Sequence, residues 1–158
     1  MNIVVISNSA APSKNASSLQ VSKLCEAFSY LNHKVTLILP NTGNGENYFS
    51  FYNINNKFKI IRLKLFNKFP RGIKYYLFSL IAIFRGLLIS TNLFVTRNYF
   101  VAFVLSILKQ KIILEIHDTL EIEGRLVKIL QKKFNFLKNN KIIKIVVTTK
   151  TLKKHFIN

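Results

Sequence analysis

At 158 residues the chain is long enough for one domain with a real core and too short for two comfortable ones. An apolar share of 49% excludes disorder, and the single cysteine, Cys25, excludes an internal disulfide and fits a reducing compartment. Lys and Arg outnumber Asp and Glu 24 to 6, a formal charge of +18, which points to an anionic partner, although the joint abundance of Lys, Asn, Ile, Phe and Tyr fits codon bias equally well.

The opening "MNIVVISNSAAP" lacks the basic and apolar regions of a signal peptide, so cytoplasmic residence is the default. "NIVVIS" (Asn2–Ser7) is a continuous apolar run, expected for a central parallel strand. After a polar loop, Ser17 and Gln20 form an S-x-x-Q capping box that opens a helix. Val21, Leu24, Cys25, Phe28 and Leu31 give that helix one apolar stripe. "VTLILP" (Val35–Pro40) is the second strand and completes a βαβ crossover. "NTGNGENYFSFYNINN" reads as a loop from its Gly and Asn, and Phe58–Leu65 as a strand nearer an edge.

"FPRG" breaks the chain before an apolar helix over Gly72–Ser90. Its apolar stretch falls short of the roughly 20 residues a membrane span needs. Arg85 also interrupts it, so a core helix or one partly facing lipid is expected. "NLFVTR" is a strand ending at Arg97, "NYFVAFVLSILKQ" a short helix and "KIILEIH" the next strand. Glu121–Asn139 is amphipathic, with Leu126, Val127, Leu130, Phe134 and Leu137 inward and Arg125, Lys128 and Lys132 outward. "IIKIVVTT" is a last strand, and "KTLKKHFIN" opens a helix. This order indicates an α/β fold with a doubly wound, mostly parallel Rossmann-like sheet.

The first loop, "SAAPSKNASS", holds no glycine, so neither a G-x-G-x-x-G fingerprint nor a P-loop is present. Its small Ser and Ala residues still allow close backbone approach to a phosphate at the helix N-terminus, and a plain helix start reads as well. No G-x-S-x-G, C-x-x-C or clustered metal-ligand pattern occurs. That leaves Glu115, His117 and Asp118 at the carboxyl end of a strand, the edge where such sheets bind ligands. A histidine there can hydrogen-bond a hydroxyl, and Glu115, its same-face neighbour at period two, can fix its tautomer. The competing reading is a polar strand end leading into a helix capped by Asp118 or Thr119, and the residues leave the two even.

The stretch "VSKLCEAFSYLNHKV" resembles the opening helix and strand of glycosyltransferase family 4, of GT-B architecture, with Asn32 where glycine is usual. "NLFVTRNYFVAFVLSILKQKIILEIHD" and "KIVVTTKTLKKHFI" are similar to later passages of the family's N-terminal domain, in the same order. The resemblance implies that residues 1–158 are the N-terminal, acceptor-side domain, with the C-terminal donor-binding domain absent from this chain. It implies a nucleotide sugar as co-substrate, a hexose-type sugar moved to a glycan or lipid-linked acceptor, and no cofactor, metal or nucleic acid. His117 then contacts the donor sugar near the reacting centre as the catalytic residue. Ala11, Pro12, Asn15, Ala16 and Ser17 approach the donor diphosphate, and Arg97, Glu115 and Asp118 face substrate.

No turnover is expected without the other half: the chain reads as a truncated or split reading frame, a single domain, or one subunit of a two-chain transferase with a separate C-terminal-domain chain. Arg71 and Lys74, with Arg125, Lys128 and Lys132, are candidates for contact with an anionic membrane, placing the protein peripherally on its inner face. The alternative is a non-catalytic Rossmann-like subunit that recruits a partner to such a surface. A general nucleic-acid binder is the weakest reading, because Lys dominates the cations and the aromatics fall within apolar runs.

Overall fold

A run of aliphatic residues with no polar alternation makes a stable strand only where both its faces are covered. β1 (Asn2–Ile6) meets that condition, with Ile3, Val4, Val5 and Ile6 buried. The computed structural model describes residues 1–41, 47–64, 70–117, 124–150 and 152–153. After β1 come α1 (Ala16–Tyr30), β2 (Lys34–Pro40), α2 (Tyr48–Phe51), β3 (Lys59–Leu63) and α3 (Arg71–Leu87). β4 (Leu93–Thr96), α4 (Tyr99–Ile107), β5 (Ile112–Ile116), α5 (Arg125–Phe134), a 3₁₀ turn (Phe136–Lys138) and β6 (Ile142–Val147) follow. The strand order is β3-β2-β1-β4-β5-β6, the doubly wound Rossmann arrangement that the sequence indicates. The pairings β1–β2, β2–β3, β4–β5 and β5–β6 are all parallel.

The chain divides into two compact units, Met1–Asn92 and Leu93–Asn158. In the first, α1 packs on β2, while α3 packs on β1, β2 and β3. Leu37, Ile38, Cys25, Phe78 and Ala82 form the centre of this core. In the second, α4 packs on β4 and β5, and α5 rests on α4 and the 3₁₀ turn. Phe103 of α4 meets Phe134 and Phe136 at ring separations of 5.5 and 5.4 Å. β6 is only partly covered, with Ile143 and Val146 exposed.

Four local expectations are corrected. The S-x-x-Q box does not cap α1: Asn15 is the N-cap, and Ser17 already lies in the first turn. The buried face of α1 is Ser18, Val21, Ser22, Cys25 and Glu26, leaving Leu31 exposed at the C-cap. Within the expected loop, Asn47 caps the short helix α2, its Oδ1 accepting from the amides of Phe49 and Ser50. In α5, Val127 is buried but Phe134 is 54% exposed, because the helix ends there and Phe136 of the next turn fills the core.

Three helices end on the same device without a glycine. Asn32, Asn53 and Lys109 adopt positive φ just after α1, α2 and α4. At each, paired 5→2 and 6→1 amide bonds close the last turn, as in His33 N–H to Phe28 O and Gln110 N–H to Leu105 O. Asn32 thus occupies a left-handed position, the kind that glycine adopts at no steric cost.

Candidate functional site

The carboxyl end of β5 gathers the charged residues. Ile112, Leu114 and Ile116 are buried, and alternation puts Glu115 on the other face, with His117 continuing its parity. The parallel register pairs Val95 with Ile113 and Thr96 with Leu114, so one further step sets Arg97 beside Glu115. Arg97 itself sits in the two-residue connection between β4 and α4, where Asn98 caps α4 by accepting from Val101 N–H. Thr96 Oγ1 in turn accepts the Asn98 amide, fixing this turn.

Arg97 grips Glu115 with a fork: Nε donates to Oε2 and Nη2 to Oε1, each at 2.9 Å. His117 Nε2 lies 2.9 Å from the same Oε1. The side chains of Arg97 and Glu115 are each 17% exposed and that of His117 29% exposed, so the cluster is open at the imidazole. Two basic groups, Arg97 and His117, therefore share the Glu115 carboxylate at a strand end, in reach of a ligand. The chemistry available is hydrogen bonding to a hydroxyl, and acid–base exchange with it through the imidazole. Asp118, the fourth residue that the sequence singles out here, lies outside the described residues.

The first loop is organised differently. Ala11 and Pro12 are buried, whereas Asn15, Ala16 and Ser17 are exposed at the start of α1. Tyr52 holds the loop through both main-chain groups of Ser13: its hydroxyl accepts the amide at 2.8 Å and donates to the carbonyl at 2.9 Å. Ser13 and Ser18 hydroxyls both donate to Ala10 O. Below them Ser22 joins Ser18 O and the Tyr48 hydroxyl, each at 2.6 Å. Burial pushes the Tyr48 phenol well above its ordinary range, with the Ser22 bond opposing. Ser7, Ala11, Ser18 and Tyr48 line a small depression beneath this loop.

The sequence reading misses this tyrosine–serine network. Its signal was the aromatic density of "NYFSFYN", too rich in rings for a solvent loop.

Lys74 is half-buried on α3, the side chain of Arg71 lies outside the described residues, and Arg125, Lys128 and Lys132 are exposed on α5. The exposed side of α3 carries Ile73, Leu80, Phe84, Leu87 and Leu88. Among the described residues no helix is long and apolar enough to cross a membrane.

Searches with family models and against curated proteins return no match. Among solved structures, the apo form of UGT2 from Phytolacca americana is similar, with a TM-score of 0.52 and 15% identity over 77% of this chain. The chain spans 30% of the length of UGT2, and at that identity the likeness is one of fold. On this doubly wound fold, the Arg97–Glu115–His117 cluster stands at a strand's carboxyl end, where such sheets take their ligands.

Proposed function

We propose that this chain is the acceptor-side, N-terminal domain of a nucleotide-sugar-dependent glycosyltransferase of the GT-B type, similar to family 4. The observation that carries the reading is the imidazole of His117, partly exposed beside a carboxylate at the end of β5. In this reading His117 contacts the donor sugar, and the exposed start of α1 from Asn15 to Ser17 approaches the diphosphate, whose charge suits a helix N-terminus. A hexose-type sugar passes to a glycan or lipid-linked acceptor, and a further domain, in the same protein or a partner chain, binds the nucleotide. UGT2 is a UDP-glycosyltransferase, which makes UDP-sugars the first donors to try.

The test is transfer from radiolabelled UDP-sugars to a membrane-glycan extract, using the chain together with the product of the coding sequence that follows it. Transfer should fall by about 10²–10⁴-fold in His117→Ala, the range for losing a proton-transferring side chain. Undiminished transfer by that variant would remove the role of His117, and no transfer from any donor would remove the reading.

A second reading, recruitment to an anionic membrane without catalysis, is favoured by α3. That helix contains no acidic residue, exposes Ile73, Leu80 and Phe84 along one side, and carries Lys74 and Arg85. Sedimentation with vesicles should require anionic lipid and weaken in Leu80→Ser/Phe84→Ser. Equal binding to neutral vesicles would count against membrane contact in either reading.

A further inference from the structure

We propose that Glu115, clamped by Arg97, is a positioning residue that fixes the neutral His117 ring as its Nε2–H tautomer and presents Nδ1 to a ligand hydroxyl. The proposal deepens the glycosyltransferase reading, on which it relies only for the hydroxyl's belonging to a sugar.

The geometry leaves few alternatives. At neutral pH a carboxylate only accepts hydrogen bonds. Glu115 Oε1 stands 2.9 Å from His117 Nε2, so that nitrogen must carry the proton. A neutral imidazole has one N–H, and Nδ1 is then the lone-pair acceptor. Among the described residues Glu115 is the one hydrogen-bond partner of the ring.

Arg97 adds what a lone carboxylate would lack. Its Nε and Nη2 take one oxygen each, which fixes the plane of the carboxylate and stops it turning with the ring. Oε1 receives both Nη2 and His117, so the imidazole is aimed by a group that is itself held at two points. The ligand class that fits an aromatic nitrogen acceptor at a half-open strand end is a hydroxyl donor, as a sugar or other polyol supplies.

The arrangement makes a specific demand on substitution. In Glu115→Gln the side-chain volume is kept, but the amide has one oxygen and one NH₂ for three donors. With its oxygen at the ring the NH₂ faces Arg97 Nε, and with its NH₂ at the ring it donates to His117 Nε2, so the two orientations call for opposite tautomers and the single-tautomer constraint is lost.

Long-range ¹H–¹⁵N correlation spectra of the imidazole at neutral pH test this on the chain as it exists. The wild-type ring should show one protonated nitrogen, Nε2, with an Nδ1 shift typical of an unprotonated nitrogen. In Glu115→Gln the two nitrogen shifts should move toward each other as the tautomers mix. Arg97→Lys, which keeps the charge but removes the fork, should give a smaller shift in the same direction.

An Nδ1–H ring or an averaged ring in the wild type would overturn the proposal, as would a Glu115→Gln spectrum unchanged at His117. Backbone amide spectra of both variants confirm that the fold is retained. These spectra report the ring whether or not sugar is transferred, so a failed tautomer leaves the transferase reading standing, and a failed transfer assay leaves the tautomer assignment standing.

Discussion

The first loop and the end of β5, each taken within its own unit, are held by contrasting interactions. Five hydroxyls, those of Ser13, Ser18, Ser22, Tyr48 and Tyr52, tie the loop with no formal charge among them. The strand end is tied by two basic side chains, Arg97 and His117, on the one carboxylate of Glu115. A hydroxyl both donates and accepts, so it satisfies itself in a dry interior, as Ser22 does by donating to the Ser18 carbonyl and accepting from the Tyr48 hydroxyl. Charges pay heavily for leaving water even when paired, and here they keep partial exposure. Burial thus selects which chemistry shapes a segment: neutral networks set a backbone deep inside, and ionic ones aim side chains at the surface.

The largest expected effect breaks the buried half of this contrast. Tyr48 packs against Tyr52 and Phe58 as well as bonding Ser22. Tyr48→Ala should destabilise the protein by about 3–5 kcal/mol, the usual range for an aromatic core deletion, read from urea unfolding. Tyr48→Phe keeps the packing and should cost only about 1 kcal/mol for the lost hydrogen bond. A reversed order would mean that the hydroxyl, not the ring, dominates.

Next comes a pair that compares the two kinds of tie directly. Arg97→Ala leaves the Glu115 carboxylate without its fork and should cost about 2 kcal/mol, below the range for fully buried pairs because the site is partly exposed. Tyr52→Phe removes both bonds to Ser13 and should cost roughly 1–2 kcal/mol. Raising the salt concentration should shrink the first loss and leave the second unchanged. Equal salt sensitivity would erase the distinction.

How much of this was legible depended on the range of the interaction. The Glu115–His117 neighbourhood could be read because strand alternation brings residues two apart onto one face. The Arg97–Glu115 fork could not, since it depends on the parallel register of β4 and β5 across 18 residues of sequence. The doubly wound, parallel fold class likewise followed from the succession of strands and helices, whereas α2, four residues long, has no period to detect and owes its helix to the Asn47 cap and to ring packing by Tyr48. Phe134 was expected inward because it continues the α5 stripe, but left-handed Asn135 ends the helix and hands the core position to Phe136.

Among the described residues, Glu26 is the one charged tie within the otherwise neutral α1 region. Its Oε1 accepts from the amides of Asn55 and Asn56 and its Oε2 from Lys23. The Lys23 hydrogen bond, more than the two amides, holds the carboxyl below its ordinary range against the opposing effect of burial. A depressed folded-state pKa means stability that is fully present above the unfolded carboxylate pKa and is lost as pH falls through the folded one. Glu26→Gln should therefore lower stability by about 1.5 kcal/mol at pH 7 and by less as pH drops below 4.5, the ordinary value. A difference that stays constant down to acid pH would mean that the charge contributes nothing.

The smallest expected effect lies at the helix ends. The left-handed residues closing α1 and α2 are asparagines, whose short side chain tolerates positive φ, while α4 closes on Lys109. A lysine there bears the steric cost of a β-carbon without that compensation. Lys109→Gly should stabilise the protein by roughly 0.5–1 kcal/mol, the relief of left-handed strain partly offset by the greater freedom of glycine in the unfolded chain. Asn32→Gly should change stability by less. If both substitutions gave the same gain, the preference for asparagine over lysine at these turns would lie in the unfolded chain and not in the backbone geometry of the folded one.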